Sequence, residues 1–162
     1  MVRWSPSGRY LASGSDDTIA LIWDLDPSGL GGSSFGSSGE EVNIESWRPH
    51  RRLAGHESDV VDLAWSCDQE DSYVATVGLD SRVIVWSGPR EGAGSFERVR
   101  VINGHLGFVK GVVWDPIGKY LATASDDKSV KFWKVGGDWS LQRTITKPFE
   151  ESPTSTFFQR PR

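Results

Sequence analysis

The stretch Trp114-Asp115-Pro116-Ile117-Gly118-Lys119-Tyr120-Leu121-Ala122 restates an earlier one, Trp4-Ser5-Pro6-Ser7-Gly8-Arg9-Tyr10-Leu11-Ala12. Ser15-Asp16-Asp17 returns in the same way as Ser125-Asp126-Asp127. A Trp-x-Pro-x-Gly turn followed twice by the same apolar run marks a repeat, and a third unit lies between the two copies. Trp65 stands 49 residues before Trp114, the same interval that separates His56 from His105. Trp4 to Trp65 is 61 residues, the excess being taken up by a Gly/Ser-rich insert. A period of about 40–50 residues points to a solenoid, a propeller or an array.

The tryptophans follow the repeat. The chain has 8 in 162 residues, and six pair off: Trp4 with Trp23, Trp65 with Trp86, Trp114 with Trp133, at gaps of 19, 21 and 19. Each unit reads as strands. Val60–Trp65 and Val109–Trp114 are β-branched and aromatic, and Tyr73–Val77 and Tyr120–Ala124 follow them. Ile19–Trp23, Val83–Trp86 and Val130–Trp133 come next, with Gly, Pro, Ser and Asp between the runs. A fourth strand is expected through Trp47–Leu53, Phe96–Ile102 and Trp139–Ile145. No segment of helical length carries a helical apolar period. Four short strands per unit, repeated, is the blade of a β-propeller.

The expected fold class is therefore all-β: an incomplete propeller of about three four-stranded antiparallel blades. The repeats fall at about 1–25, 53–88 and 102–135 within a propeller segment 1–146. A Gly/Ser-rich loop occupies 28–39, and 147–162 is expected as an irregular tail leading into a further blade. A seven-bladed ring at about 40–45 residues per blade needs roughly 300 residues, so the chain is expected to be a part of one, beginning inside a strand.

Composition narrows the function classes. No apolar run approaches the roughly 20 residues a membrane span needs, and Met1-Val2-Arg3-Trp4-Ser5-Pro6 has no apolar core of a signal peptide. The single cysteine, Cys67, cannot form an internal disulfide, which suits a reducing compartment. A net charge of -4 argues against a protein whose main work is gripping phosphate backbones.

Gly55-His56 and Gly104-His105 open two units; Trp23-Asp24 closes the first, and Trp86-Ser87 and Trp133-Lys134 are variants. Together these resemble WD repeats. An Asp sits six residues before each closing Trp (Asp17, Asp80, Asp127), and a Ser or Thr four residues before each Asp (Ser13, Thr76, Thr123). The resemblance implies a buried hydrogen-bond relay of Trp, Ser/Thr, His and Asp in each blade. A buried indole N–H, imidazole or carboxylate left unpartnered costs on the order of 1–3 kcal/mol. The complete sets are His56, Thr76, Asp80, Trp86 and His105, Thr123, Asp127, Trp133; the first unit has Ser13, Asp17 and Trp23 but no His.

A hydroxyl, an imidazole and a carboxylate are also the grammar of a hydrolase triad. Recurrence of the set in each unit suits a structural device better, and no Gly-x-Ser-x-Gly elbow is present. Gly118-Lys119 lacks the glycine spacing of a phosphate loop. Cys67 has no Cys or His neighbour, and His56 and His105 occupy equivalent repeat positions, so no shared metal is expected. Asp16-Asp17 and Asp126-Asp127 read as tight-turn pairs with one buried Asp rather than an acid/base couple. The expectation is a non-enzyme with no cofactor and no metal.

Departures from the repeat are more specific. Ser28–Gly39 is Gly and Ser at all but Leu30 and Phe35, a flexible loop or a partner contact anchored by Phe35. Arg48-Pro49-His50-Arg51-Arg52 reads as an edge strand blunted by charge or as a contact for an acidic partner. Ile145–Glu151 holds no further Gly-His, and Ser152–Arg162 is polar and expected to be disordered. Phe35-Gly36-Ser37-Ser38-Gly39 leading to Glu45-Ser46-Trp47-Arg48 resembles the long loop in the N-terminal propeller of the HIR/HIRA histone chaperones. Gly104–Tyr120 is similar to the same family, as is Trp139-Ser140-Leu141-Gln142 running into Ile145-Thr146-Lys147-Pro148-Phe149.

That resemblance spans about 2–151. It implies a nuclear scaffold that engages a ubinuclein-like subunit and, through the complex, histones, with no sequence-specific nucleic-acid binding and no membrane. It further implies replication-independent nucleosome assembly and transcriptional corepression, notably of histone genes. The propeller's start, its later blades, the linker to a second chaperone and the C-terminal domain are expected to lie outside the chain. The alternative is the WD-repeat subunit of the replication-coupled chromatin assembly factor or another WD-repeat adaptor. The first shares the Trp-Asp-Pro-x-Gly turn, without the expectation of the Phe-Gly-Ser-Ser-Gly loop or the Lys-Pro-Phe segment.

Overall fold

A computed structural model describes residues 1–25, 47–89 and 96–151. They form three four-stranded antiparallel sheets. The first contains β1 (Val2–Trp4), β2 (Tyr10–Gly14), β3 (Ile19–Leu25) and β4 (Trp47–Ala54). The second contains β5 (Val60–Trp65), β6 (Tyr73–Gly78), β7 (Arg82–Ser87) and β8 (Arg98–Asn103). The third contains β9 (Val109–Trp114), β10 (Tyr120–Ser125), β11 (Ser129–Lys134) and β12 (Leu141–Ile145), and a 3-10 turn, Lys147–Phe149, follows. Each strand pairs with its sequence neighbour, the up-and-down order of a propeller blade. The Gly/Ser-rich stretch 28–39 and the tail 152–162 lie outside the described residues; β3 and β4, on either side of the former, are neighbours in one sheet.

The apolar pattern dictates how the sheets stack. Side chains alternate faces along a strand, so a strand buried on one face alternates and one buried on both reads as continuously apolar. β2 alternates buried and half-buried, whereas in β6 and β7 every residue after the first is buried. The middle blade is therefore covered on both faces. One core joins Tyr10, Ala12, Ile22 and Leu53 of the first sheet to Trp65, Val74, Ile84 and Trp86 of the second. A separate core joins Ala75, Val77, Val83 and Val85 of the second to Trp114, Leu121 and Trp133 of the third. Val74 and Ala75, adjacent in β6, serve opposite cores.

The first strands of the blades stand next to one another and are tied directly. Trp65 Nε1 donates to the Arg3 carbonyl at 3.3 Å and Trp114 Nε1 to the Ala64 carbonyl at 2.9 Å. The Val60 N–H donates to the Ser15 carbonyl at 3.0 Å, and the Val112 N–H to Asp62 Oδ2 at 3.2 Å. The turns between second and third strands thus share one rim with the turns that lead into the next blade.

The basic run on β4 lies on the outer edge strand, as its composition suggests. The register shifts opposite Ile22 and Trp23, leaving His50 bulged between Pro49 and Arg51. A proline at a bulge on an edge strand interrupts further pairing. Two expected strand starts are displaced: Phe96 and Trp139 precede their strands, at φ 61 and 55, and their rings turn into the interior.

Each turn between second and third strands holds a non-glycine in the left-handed region: Thr18 at φ 71, Ser81 at φ 63 and Lys128 at φ 60. The preceding Asp pins it by accepting the next N–H, from Ile19, Arg82 and Ser129. A β-branched residue there is the most strained of the three. Thr18→Gly is expected to stabilise the fold by about 0.5–1 kcal/mol, since relief of roughly 1–2 kcal/mol is partly offset by glycine's entropy. Thermal melting checks this, and a lowered midpoint would contradict it.

Candidate functional site

The residues singled out from the sequence meet at the shared rim. In the second blade Trp86 Nε1 donates to Thr76 Oγ1 at 2.9 Å, Thr76 Oγ1 lies 2.9 Å from His56 Nε2, and His56 Nδ1 lies 2.9 Å from Asp80 Oδ2. In the third, Trp133 Nε1 donates to Thr123 Oγ1 at 2.9 Å, with Thr123–His105 at 2.7 Å and His105–Asp127 at 2.8 Å. The ends of each chain fix its polarity. The indole can only donate and the carboxylate can only accept, so the hydroxyl donates to Nε2 and the imidazole donates from Nδ1. Each Asp also accepts the N–H after its histidine, from Glu57 or Leu106, at 3.0 Å.

In the first blade Trp23 Nε1 donates to Ser13 Oγ at 2.9 Å, and Asp17 accepts the Ile19 N–H at 3.2 Å. Asp17 is not joined to Ser13 there, because no histidine stands between them.

This polarity is that of a Ser-His-Asp triad, but the surroundings are not. Thr76 and Thr123 are wholly buried, and each oxygen already accepts an indole N–H. A nucleophile must reach a substrate carbonyl, and these two hydroxyls face a tryptophan instead. Gly104 shows what the relay requires of its neighbours. A Cβ there would lie 2.5 Å from the edge of the Trp133 ring, and at Gly55 3.3 Å from that of Trp86. The glycine of each Gly-His pair leaves room for the closing tryptophan.

Electrostatics follow from burial. Burial pushes the His105 pKa below its ordinary value, outweighing the Asp127 carboxylate beside it. Burial works the other way on Asp127, yet hydrogen bonds from Ser129, the Leu106 N–H and His105 together hold its pKa below the usual range. Both shifts act in one sense. The unfolded chain binds these protons more readily, so the stabilisation is full above the unfolded values and is lost as pH falls through the folded ones. The melting midpoint is expected to fall as pH drops below about 6.5, and again below about 4. Melting curves across that range check it; a midpoint that rises between about pH 7 and 5 would contradict it.

Sequence reasoning missed a second repeated device, an aromatic seam between blades. Tyr10 stacks on Trp65 at 6.2 Å, and Phe96 meets both edge-on at 5.5 and 6.0 Å. One blade on, Tyr73 stacks on Trp114 at 6.0 Å, and Trp139 meets both edge-on at 5.6 and 6.0 Å. The recurrence of Tyr10, Tyr73 and Tyr120 at one repeat position was the available signal. At either end half a seam is present. Trp4 packs edge-on against Trp47 at 5.1 Å and remains 57% exposed. Tyr120 is 41% exposed beside a hollow of about 350 Å³ lined also by Phe132, Gln142, Arg143 and Ile145. Ile22 and Val85, the counterparts of Phe132, are wholly buried. A further interblade tie had no sequence signal: Asp71 accepts the Ser7 N–H at 3.1 Å and pairs with the Ser7 hydroxyl.

Comparison with known proteins agrees with this geometry. The family described as the CAF1B/HIR1 β-propeller domain matches residues 1–160. Protein HIR1 of Mycosarcoma maydis is 70% identical over 99% of this chain and 15% of its own length. Protein HIR1 of Cryptococcus neoformans is 57% identical over 98% of the chain and 17% of its own length, and Protein hir1 of Schizosaccharomyces pombe 50% over 99% and 16%. The chain thus spans about a sixth of the length of these relatives.

Proposed function

This chain belongs to the CAF1B/HIR1 β-propeller family, and on that premise we propose that it is a non-enzymatic docking scaffold of a histone chaperone complex. The relatives named above are HIR1 proteins, which places the chain on the HIR side of a family that spans both branches. The observation that carries the non-enzymatic part is the burial of both Thr-His-Asp sets beneath tryptophan. In this reading Ser13, Asp17 and Trp23 with the two complete sets hold blades together and perform no chemistry. The finer reading is nuclear: replication-independent nucleosome assembly and transcriptional corepression, including of histone genes, through a ubinuclein-like subunit and histones.

We propose too that residues 1–146 are consecutive blades of a larger propeller and that 147–162 lead towards a further one. The half seams at Trp4 and Tyr120 support this. Affinity purification of the full-length protein, followed by mass spectrometry, tests the functional reading. Recovery of a ubinuclein-like subunit with histones is expected. Replication-clamp partners without such a subunit would move the chain to the replication-coupled assembly factor.

A further inference from the structure

We infer that the turn Leu106-Gly107-Phe108 is a docking knob for a partner segment that joins an apolar side chain to basic flanks. The inference rests on the reading of the chain as a docking scaffold and names one surface of it. Leu106 is 95% exposed and Phe108 48%. Single exposed apolar residues are ordinary; two in one rigid turn are not explained by folding.

The turn is held on every side. The Leu106 N–H donates to Asp127 Oδ2 at 3.0 Å, Ser125 Oγ to the Gly107 carbonyl at 3.0 Å, and the Asp126 N–H to the Phe108 carbonyl at 3.0 Å. A Cβ on Gly107 would lie 2.9 Å from the Asp127 nitrogen, so the backbone lies flat on its neighbour. A partner gains affinity from such a surface because little ordering remains to be done on binding.

The second blade supplies an internal control. Glu57-Ser58-Asp59 occupies the same frame, with the Glu57 N–H on Asp80 Oδ2 at 3.0 Å and the Leu79 N–H on the Asp59 carbonyl at 3.0 Å. These two bonds are shared although Ser58 replaces Gly107 and Gly78 replaces Ser125, and neither needs an apolar side chain at the positions of Leu106 and Phe108.

The surrounding rim defines the partner's charge. Asp16 and Asp17 are exposed on the first blade, Glu57 and Asp59 stand on the second, and Asp126 and Asp127 flank the knob. Arg82 pairs with Glu57 at 2.6 Å and Lys110 with Asp126 at 2.7 Å. Lys128 follows Asp127 in the same turn and donates to the Glu150 carbonyl, and among the described residues Asp16 and Asp17 bond only within their own turn, so acidic side chains outnumber basic ones on this rim. An apolar anchor flanked by Lys or Arg complements both features.

The test is selection of a displayed library of random 12-residue peptides on the 162-residue chain, immobilised sparsely. Enriched peptides are expected to combine a Leu, Ile, Phe or Trp with net positive charge. Leu106→Glu with Phe108→Asp, which copies the second blade's turn, is expected to weaken their binding at least tenfold with the melting midpoint unchanged. Enrichment of neutral or acidic peptides, undiminished binding to the double variant, or no enrichment would overturn the inference. Co-purification of the same partners by the double variant would overturn it while leaving the scaffold reading intact. Recovery of replication-clamp partners in the earlier experiment would end the HIR-type reading without touching this one.

Discussion

Trp86→Ala is expected to cost about 3–5 kcal/mol, the range for truncating a fully buried aromatic side chain. Trp86 is 4% exposed and belongs to the core between the first and second sheets. Its ring edge lies over Gly55, and its N–H ends the relay through Thr76 and His56 to Asp80. The substitution therefore opens a cavity between two blades and removes the donor of a buried hydroxyl. Because domains of this size are stable by about 5–15 kcal/mol, the loss is a large share of the total, and the melting midpoint should drop by roughly 10 °C or more.

Trp86→Phe keeps part of the packing but removes the N–H together with part of the ring, so it should cost less than Trp86→Ala, on the order of 2–3 kcal/mol. Trp23→Ala should cost less than Trp86→Ala, because Trp23 is only half-buried, on the side of the first sheet that no other described blade covers. The expected order, Trp86→Ala above Trp23→Ala, is read by melting each variant. An unchanged midpoint for Trp86→Ala would mean that the relay and the ring carry no stability.

Much of the architecture was legible in the chain because a repeat writes the same constraint several times. Trp65 and Trp114 each end a first strand and bond back to the previous blade. The Thr, Asp and Trp of each complete set stand at the same intervals in both units, with the His 20 residues before Thr76 and 18 before Thr123. The continuous apolar runs of β6 and β7 already stated that the middle blade has neighbours on both sides. The strand starts at Phe96 and Trp139 were not legible. Both residues are aromatic, which favours a strand reading, yet each turns into the interior at positive φ to complete a seam with the neighbouring blade. Tertiary packing overrides propensity there. Nor could spacing identify Asp62, a buried carboxylate that accepts a backbone N–H of the next blade and pairs with Arg3 of the previous one at 3.6 Å.

Among the described residues, no blade covers the outer face of the first sheet or that of the third. The seam rule is Tyr from one blade, Trp and a second aromatic from the next. At one face Trp4 and Trp47 lack the Tyr; at the other Tyr120 lacks the Trp and its companion. The faces are complementary halves of one interface, flanked by the half-buried Phe132. Apolar faces with unpaired edges associate, and here the complementarity directs the association head to tail. The isolated chain is expected to self-associate as its concentration rises, and Trp4→Ser with Tyr120→Ser to weaken that association.

Light scattering coupled to size-exclusion chromatography, on residues 1–162 over a range of concentrations, tests most directly whether these blades are consecutive members of a larger ring. The mass is expected to climb above 17.9 kDa with concentration and to fall back in the double variant. A 17.9 kDa monomer at every concentration, melting in one cooperative step at about 45–65 °C, would contradict it.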